Sequence, residues 1–206
     1  EKGDEFSVSF NYFKAVCQVD DGYLGVTVND ESSLISNYEK QAYLSWYDEN
    51  GQFVKTVDSL LLGGAVNLYR YGQSIYLEGN SDFRNWLSVA SNIDYGSDVL
   101  DFQEVIYDNA SCKASSNGMV CRNNDFDFWI ITQSGVSTVR NENASYLHSF
   151  DGNQGFYYLD FKTSTTPNLM HQPNESTNPI LQERVTLSNY NDIGCLDFRY
   201  IDSENT

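Results

Sequence analysis

Two cysteines, Cys112 and Cys121, flank a short polar segment, and their spacing suits a disulfide across a turn. The pair Asn117-Gly118 between them is a strong turn signal, and aromatic, strand-like runs lie on either side. We therefore predict a Cys112–Cys121 disulfide that closes the tip of a β-hairpin. The polar lining of this tip predicts that it buries little surface.

The other two cysteines, Cys17 and Cys195, lie near opposite ends of the chain. Four cysteines allow three connectivities, and we predict the local bond together with a Cys17–Cys195 clasp. A zinc site would require close cysteine pairs or nearby histidines, and a redox site would require Cys-x-x-Cys. Because disulfides persist in oxidising compartments, the predicted bonds indicate an extracellular or cell-surface protein.

The segment NNDFDFW after Cys121 holds four side chains that could bind a ligand: Asn123, Asp125, Asp127 and Trp129. Residues two apart on a strand share one face, so the two aspartates and the tryptophan would point the same way. Their oxygens could hold Ca²⁺, with Asp125 and Asp127 as the metal ligands, and the indole could stack on a sugar ring. We expect the recognition surface here, at the same end of the fold as the hairpin tip. In the alternative interpretation Phe126 and Phe128 face the core and the polar residues simply face solvent.

Residues for nucleophilic catalysis are scarce. The chain has two histidines, His148 and His171, and no Gly-x-Ser-x-Gly nucleophile elbow. The segment DGNQG at 151–155 begins like a calcium loop, but Lys162 stands where an EF-hand needs its acid, so a hairpin turn is predicted. With 29 Asp and Glu residues, no pattern singles out a glycosidase carboxylate pair. A non-catalytic role is favoured, and a carboxylate-based enzyme stays an alternative.

Three N-x-Ser/Thr sequons occur, at Asn109, Asn143 and Asn174. About three are expected by chance at this content of Asn, Ser and Thr, so their number does not itself indicate secretion. If the protein is extracellular, all three asparagines are candidate glycosylation sites.

The composition limits the class of partner. Twelve Lys and Arg against 29 Asp and Glu give a formal net charge of −17 over 206 residues. Such a surface repels nucleic-acid phosphates and anionic lipids. The sequence has no apolar run of 18 residues, so no membrane span is predicted.

Alternation of apolar and polar residues dominates the chain, as in FSVSFNY at 6–12, and Gly/Asn/Asp turns separate many such runs. This predicts an all-β fold, an antiparallel β-sandwich. One segment, NSDFRNWLSVASN at 80–92, instead has apolar residues at helical spacing and predicts a short helix, with a strand in which Trp86, Ser88 and Ala90 alternate as the alternative. All three prolines lie in one stretch, which predicts a loop at about 163–182 within a single domain spanning 1–206.

The opening segment GDEFSVSFNYFKAVCQVDDGYLGVTVND resembles the front strands of secreted jelly-roll modules of the carbohydrate-binding type, as in fungal cell-wall and adhesin glycoproteins. The segment IGCLDFRYI near the other end is similar to the last strand of those modules. The resemblance covers about 35 residues. It implies a jelly-roll-like sandwich that binds carbohydrate in adhesion or in the cell wall.

Aromatic side chains that could stack on a sugar recur along the strands: Tyr43, Trp46, Tyr47, Tyr69 and Tyr71. Together these features predict a non-catalytic extracellular recognition domain whose partner is carbohydrate or another surface protein. The alternatives are a secreted carbohydrate-active enzyme and a purely structural module of a wall or receptor ectodomain.

Overall fold

The computed structural model describes residues 12–29, 40–81, 84–107, 109–144, 148–160, 168–173 and 178–184. Every regular element in these ranges is a β-strand, and every strand pairing is antiparallel. The predicted all-β antiparallel class is therefore confirmed. The described part of the chain has no helix long and apolar enough to cross a membrane.

The chain divides into two compact units, residues 1–107 (unit 1) and residues 108–206 (unit 2). Unit 1 holds one seven-stranded sheet whose strands are neighbours in sequence order. Its strands are β1 (Tyr12–Val19), β2 (Gly22–Val28), β3 (Lys40–Asp48), β4 (Phe53–Tyr71), β5 (Ser74–Ser81), β6 (Arg84–Ser91) and β7 (Gln103–Ile106).

One face of the unit 1 sheet forms a core because alternate residues of its strands are apolar. Leu24 and Val26 of β2 lie beside Leu44 and Trp46 of β3, and all four side chains are fully buried. The Trp46 indole N–H donates a hydrogen bond to the Ser97 carbonyl oxygen at 2.9 Å. The ring can therefore be buried without leaving its donor unsatisfied.

Unit 2 holds two four-stranded meanders. The first contains β8 (Ser111–Ala114), β9 (Gly118–Arg122), β10 (Asp127–Thr132) and β11 (Gly135–Arg140). The second contains β12 (His148–Phe150), β13 (Phe156–Asp160), β14 (Asn168–Gln172) and β15 (Ile180–Arg184). The two sheets share a core in which the rings of Phe128 and Phe156 stack with centroids 4.4 Å apart.

The connectivity is simpler than that of a jelly roll. Hydrogen-bonded neighbours in all three described sheets are consecutive in sequence, without the long crossovers of a Greek key. The division into two units does not decide whether 1–206 is a single domain, which stays a prediction.

The predicted helix at 80–92 is wrong. Residues 84–91 form β6, which pairs with β5 on one side and β7 on the other. Trp86 of β6 lies opposite Gly79 of β5, where the missing side chain leaves room for the indole. Sheet partners on both sides satisfy the backbone, and this tertiary context overrides the local helical spacing.

The loop predicted at 163–182 is wrong in part, because β14 lies within it and pairs with β15, which begins inside this range. The prolines described there stand outside the strands: Pro173 directly follows β14 and Pro179 directly precedes β15. Proline is tolerated at such positions because it has no N–H to donate to a sheet ladder. Prolines at strand ends therefore do not indicate one continuous loop.

Candidate functional site

The disulfide between Cys112 and Cys121 is present, as predicted. The two residues lie directly opposite each other on β8 and β9, with Cα atoms 4.1 Å apart. The prediction that the tip buries little holds for residues 114–117, which are exposed, but not for β9, all of which is buried. The bond therefore links strands of a packed sheet, and the exposed turn is confined to residues 115–117.

Cys17 lies on β1 in the unit 1 core and belongs to no disulfide among the described residues. Burial raises the pKa of its thiol to about 11, so the group is protonated at neutral pH. Cys195 lies outside the described residues, and the Cys17–Cys195 bond stays a prediction.

The segment NNDFDFW does not present its polar groups as a shared face. Asp125 lies in the turn before β10, whereas Asp127 and Trp129 are on the strand. The Asn123 side-chain oxygen accepts hydrogen bonds from the backbone N–H groups of Asp125 (2.9 Å) and Asp127 (3.1 Å). The Asp127 carboxylate lies 3.4 Å from Arg140 Nη1. These groups hold the turn and the strand pair together.

Residues 123–126 differ from two further expectations. Phe126 does not face the core: it is 37% exposed, has φ of 67°, and stacks over the Arg122 guanidinium 4.7 Å from its ring centroid. Phe128 does face the core, as the alternative interpretation held. The turn at 123–126 and the turn at 115–117 lie at opposite ends of β9, so the hairpin tip and this segment do not form one rim. The described ranges contain no cluster of three His, Cys, Asp or Glu side chains that could hold a metal ion.

The glycosylation candidates and the predicted turn at 151–155 are the remaining predicted positions. Asn143 is exposed in a turn, Asn109 is half-buried with φ of 54°, and Asn174 lies outside the described residues. The segment 151–155 is the turn between β12 and β13, as predicted.

Both histidines lie in unit 2 and make local contacts. His148 is buried, with Nε2 3.1 Å from the Ser111 carbonyl oxygen. His171 Nε2 lies 2.7 Å from Asp151 Oδ2, and its ring stacks on Tyr157. These contacts fit the structural roles expected from the sequence.

Of the aromatic candidates, Trp46, Tyr47 and Tyr71 are buried in the fold, each at most 6% exposed. Tyr69 is half-buried, and its hydroxyl donates to the Glu78 carboxylate at 3.0 Å. Tyr43 is half-buried on β3. Tyr47 lies in a groove on the sheet face opposite the unit 1 core.

This groove, called the aromatic groove below, has a volume of about 250 Å³ and is lined by Phe13, Val16, Tyr23, Tyr47 and Gly51. Strand register places these residues together, because Tyr23 of β2 lies directly opposite Tyr47 of β3. Phe13 and Val16 come from β1, where a β-bulge between Phe13 and Ala15 puts both on one face. The Phe13 and Tyr47 rings are 5.0 Å apart between centroids.

A glycine makes room for two rings of the aromatic groove. Gly25 lies opposite Val16 on β2, beneath the two rings. A Cβ at this position would stand 2.7 Å from Phe13 Cε1 and 3.0 Å from Tyr47 Cε2, so any other residue would push into the rings. The absence of a side chain lets both rings pack close to the sheet.

Polar groups are few on this face and lie beneath the aromatics. The hydroxyls of Ser45 and Thr56 hydrogen-bond to each other at 3.0 Å. Thr27 and Tyr47 are also buried. Pockets for small ligands have this character: an apolar wall with a small number of placed polar groups.

No protein-family model matches the chain, and no curated protein matches it in sequence. The aromatic groove offers stacking surfaces and hydrogen-bonding hydroxyls. The five described residues that line it include no Asp, Glu, His, Lys or Arg.

Proposed function

We propose that the protein is a non-catalytic extracellular recognition domain that binds carbohydrate in the aromatic groove of unit 1. The observation that carries this proposal is a groove lined by three aromatic side chains, two of which pack over Gly25. The flat ring of an aromatic side chain covers the apolar face of a pyranose, and a buried apolar wall orients it. A volume of about 250 Å³ suits one sugar ring rather than a long oligosaccharide.

The other features of the chain support the same role. The Cys112–Cys121 disulfide is compatible with an oxidising compartment, which is where adhesive carbohydrate recognition takes place. A net charge of −17 disfavours nucleic acid and acidic membrane surfaces as partners. We propose the cell surface or the extracellular space as the location of the protein and carbohydrate as its partner.

A glycan array probed with the full chain tests the proposal. We expect binding by the wild type and a loss of about tenfold in Phe13→Ala, because one stacked aromatic contributes about 1.4 kcal/mol. Tyr107→Ala is the matched control, since Tyr107 is another exposed aromatic of unit 1 that does not line the groove. It should bind as the wild type does.

Two further arms separate the groove from the segment at 123–129. Trp129→Ala should leave binding unchanged, whereas a loss comparable with that of Phe13→Ala would move the site to the segment predicted from sequence. The array is run with Ca²⁺ and with a chelator, and equal binding in both is expected. An array without signal under either condition would refute carbohydrate recognition.

A further inference from the structure

Two buried hydroxyls lie on the face of the sheet that carries the aromatic groove. Thr27 is fully buried, and Tyr47 is 6% exposed. The Thr27 Oγ1 and the Tyr47 hydroxyl oxygen have no hydrogen-bond partner among the described residues. Thr27 lies opposite Phe13 in the β1–β2 register, so the two hydroxyls belong to the same small region.

The Tyr47 ring reaches over β2. Tyr47 stands opposite Tyr23, yet its Cε2 atom is the one that a Cβ on Gly25 would meet at 3.0 Å. Cε2 is bonded to the carbon that carries the hydroxyl, and the ring packs against Phe13 with centroids 5.0 Å apart. Thr27 is two residues beyond Gly25 on that same face of β2.

Buried hydroxyls without partners are costly, since folding removes them from water and returns no hydrogen bond. Native proteins keep few such groups, and each one needs a reason. Elsewhere in unit 1 the rule is obeyed, as the Tyr69 hydroxyl donates to Glu78 and the Ser45 hydroxyl bonds Thr56. The two buried hydroxyls that break the rule both lie on the sheet face that carries the aromatic groove.

Charge around the aromatic groove restricts the ligand further. The lining residues include no lysine or arginine. The turn that leads to Gly51 carries Asp48 and the exposed Glu49. An anionic sugar would meet repulsion here, whereas a neutral one would not.

We propose that the hydroxyls of Tyr47 and Thr27 are the polar contacts of the aromatic groove, and that its ligand is a neutral sugar with a hydroxyl beside its apolar face. This inference rests on the proposed function and specifies the ligand class of the same groove. The sugar ring lies against Phe13, and its hydroxyl completes the hydrogen bonds of the two side chains. Both hydroxyl oxygens are buried, so this binding mode requires the Phe13 ring, which is half exposed on β1, to move aside when the sugar binds.

The test uses the full chain and a panel of neutral methyl pyranosides, with glucuronic acid as the charged counterpart. Tyr47→Phe and Thr27→Val remove one hydroxyl each and keep the shape of the side chain. Affinity is measured by calorimetry, and stability by the midpoint of urea unfolding. Tyr69→Phe is the matched control, because it removes a tyrosine hydroxyl that is already hydrogen-bonded within unit 1.

We expect each groove variant to bind the preferred pyranoside about five- to tenfold more weakly while its urea midpoint stays the same or rises. Tyr69→Phe should show the reverse: unchanged affinity and a lower midpoint. Glucuronic acid should bind more weakly than the neutral pyranosides.

Failure of this inference is distinct from failure of the proposed function. If Phe13→Ala abolishes binding but Tyr47→Phe and Thr27→Val bind as the wild type does, the groove binds sugar without these hydroxyls and the inference is overturned. A lower urea midpoint in both variants would overturn it too, because the hydroxyls would then be satisfied within the protein. Absence of pyranoside binding by the wild type would overturn both proposals, as would a dimer that Phe13→Ala dissociates.

Discussion

At the scale of single residues, three side-chain oxygens organise turns. Asp48 Oδ1, Asn123 Oδ1 and Asp151 Oδ1 each accept hydrogen bonds from the backbone N–H groups two and four residues later. Asn and Asp are favoured in turns for this reason. The sequence drew attention to residues 123–127 as a ligand site, but it gave no sign that the Asn123 oxygen holds the turn.

Replacing Asn123 should therefore affect folding. Asn123→Ala leaves two backbone N–H groups without their acceptor, and we expect the free energy of unfolding to fall by about 1–2 kcal/mol. Asp125→Ala is the control, because this exposed side chain should contribute less than about 0.5 kcal/mol. Urea unfolding compares the two variants, and equal stability would show that the Asn123 oxygen has no such role.

Replacing Gly25 should affect sugar binding much more than stability. In Gly25→Ala the new methyl group displaces the Phe13 ring, which is half exposed and free to swing, and so changes the wall of the aromatic groove. We expect sugar binding on the array to be lost while the urea midpoint changes little. Retained binding with a large loss of stability would mean that the glycine serves packing alone.

The Tyr69 hydroxyl gives the protein a dependence on alkaline pH. Burial raises the pKa of Tyr69 above its usual value, and the charge and hydrogen bond of Glu78 raise it further. The folded state thus favours the neutral phenol, so this contribution is complete below about pH 10, the pKa of an unfolded tyrosine, and is lost as pH rises further. Urea unfolding from pH 8 to 11 should show a decline above pH 10 that is shallower in Tyr69→Phe, and parallel profiles would contradict this.

At the scale of elements, alternation predicted the strands, but it did not always predict on which face of the sheet a residue lies. In β1, strict alternation would put Phe13 on the same face as Cys17, in the core. The bulge between Phe13 and Ala15 reverses this parity and brings Phe13 beside Val16 in the aromatic groove. No signal in the sequence marks the bulge, which explains why Tyr47 was a candidate while Phe13, Val16 and Gly25 were missed.

The disulfide hairpin carries a prediction at this scale. Replacing Cys112 and Cys121 together by alanine opens a loop of about ten residues, which should lower the free energy of unfolding by about 2–3 kcal/mol. Because the disulfide and the aromatic groove belong to different compact units, sugar binding by the folded variant should not change. Urea unfolding and calorimetry check the two parts, and weakened binding would support the earlier expectation of a recognition surface beside this hairpin.

At the scale of the whole molecule, composition and cysteine spacing predicted the all-β class and the local disulfide. Both depend on properties that the sequence expresses directly: alternation, turn residues and two cysteines around Asn117-Gly118. The groove depends on which residues face each other across three strands, and that register is set by the fold. Tyr23 and Tyr47 are 24 positions apart in the chain yet directly paired.

The central claim is that carbohydrate binds in the aromatic groove, and a crystal structure of the full chain with the strongest neutral glycan from the array tests it most directly. The sugar ring should lie against Phe13 and Tyr47, with a hydroxyl within hydrogen-bond distance of Tyr47 or Thr27. A sugar bound instead beside Asp125 and Trp129, with the groove empty, would contradict the claim and restore the site first predicted from the sequence.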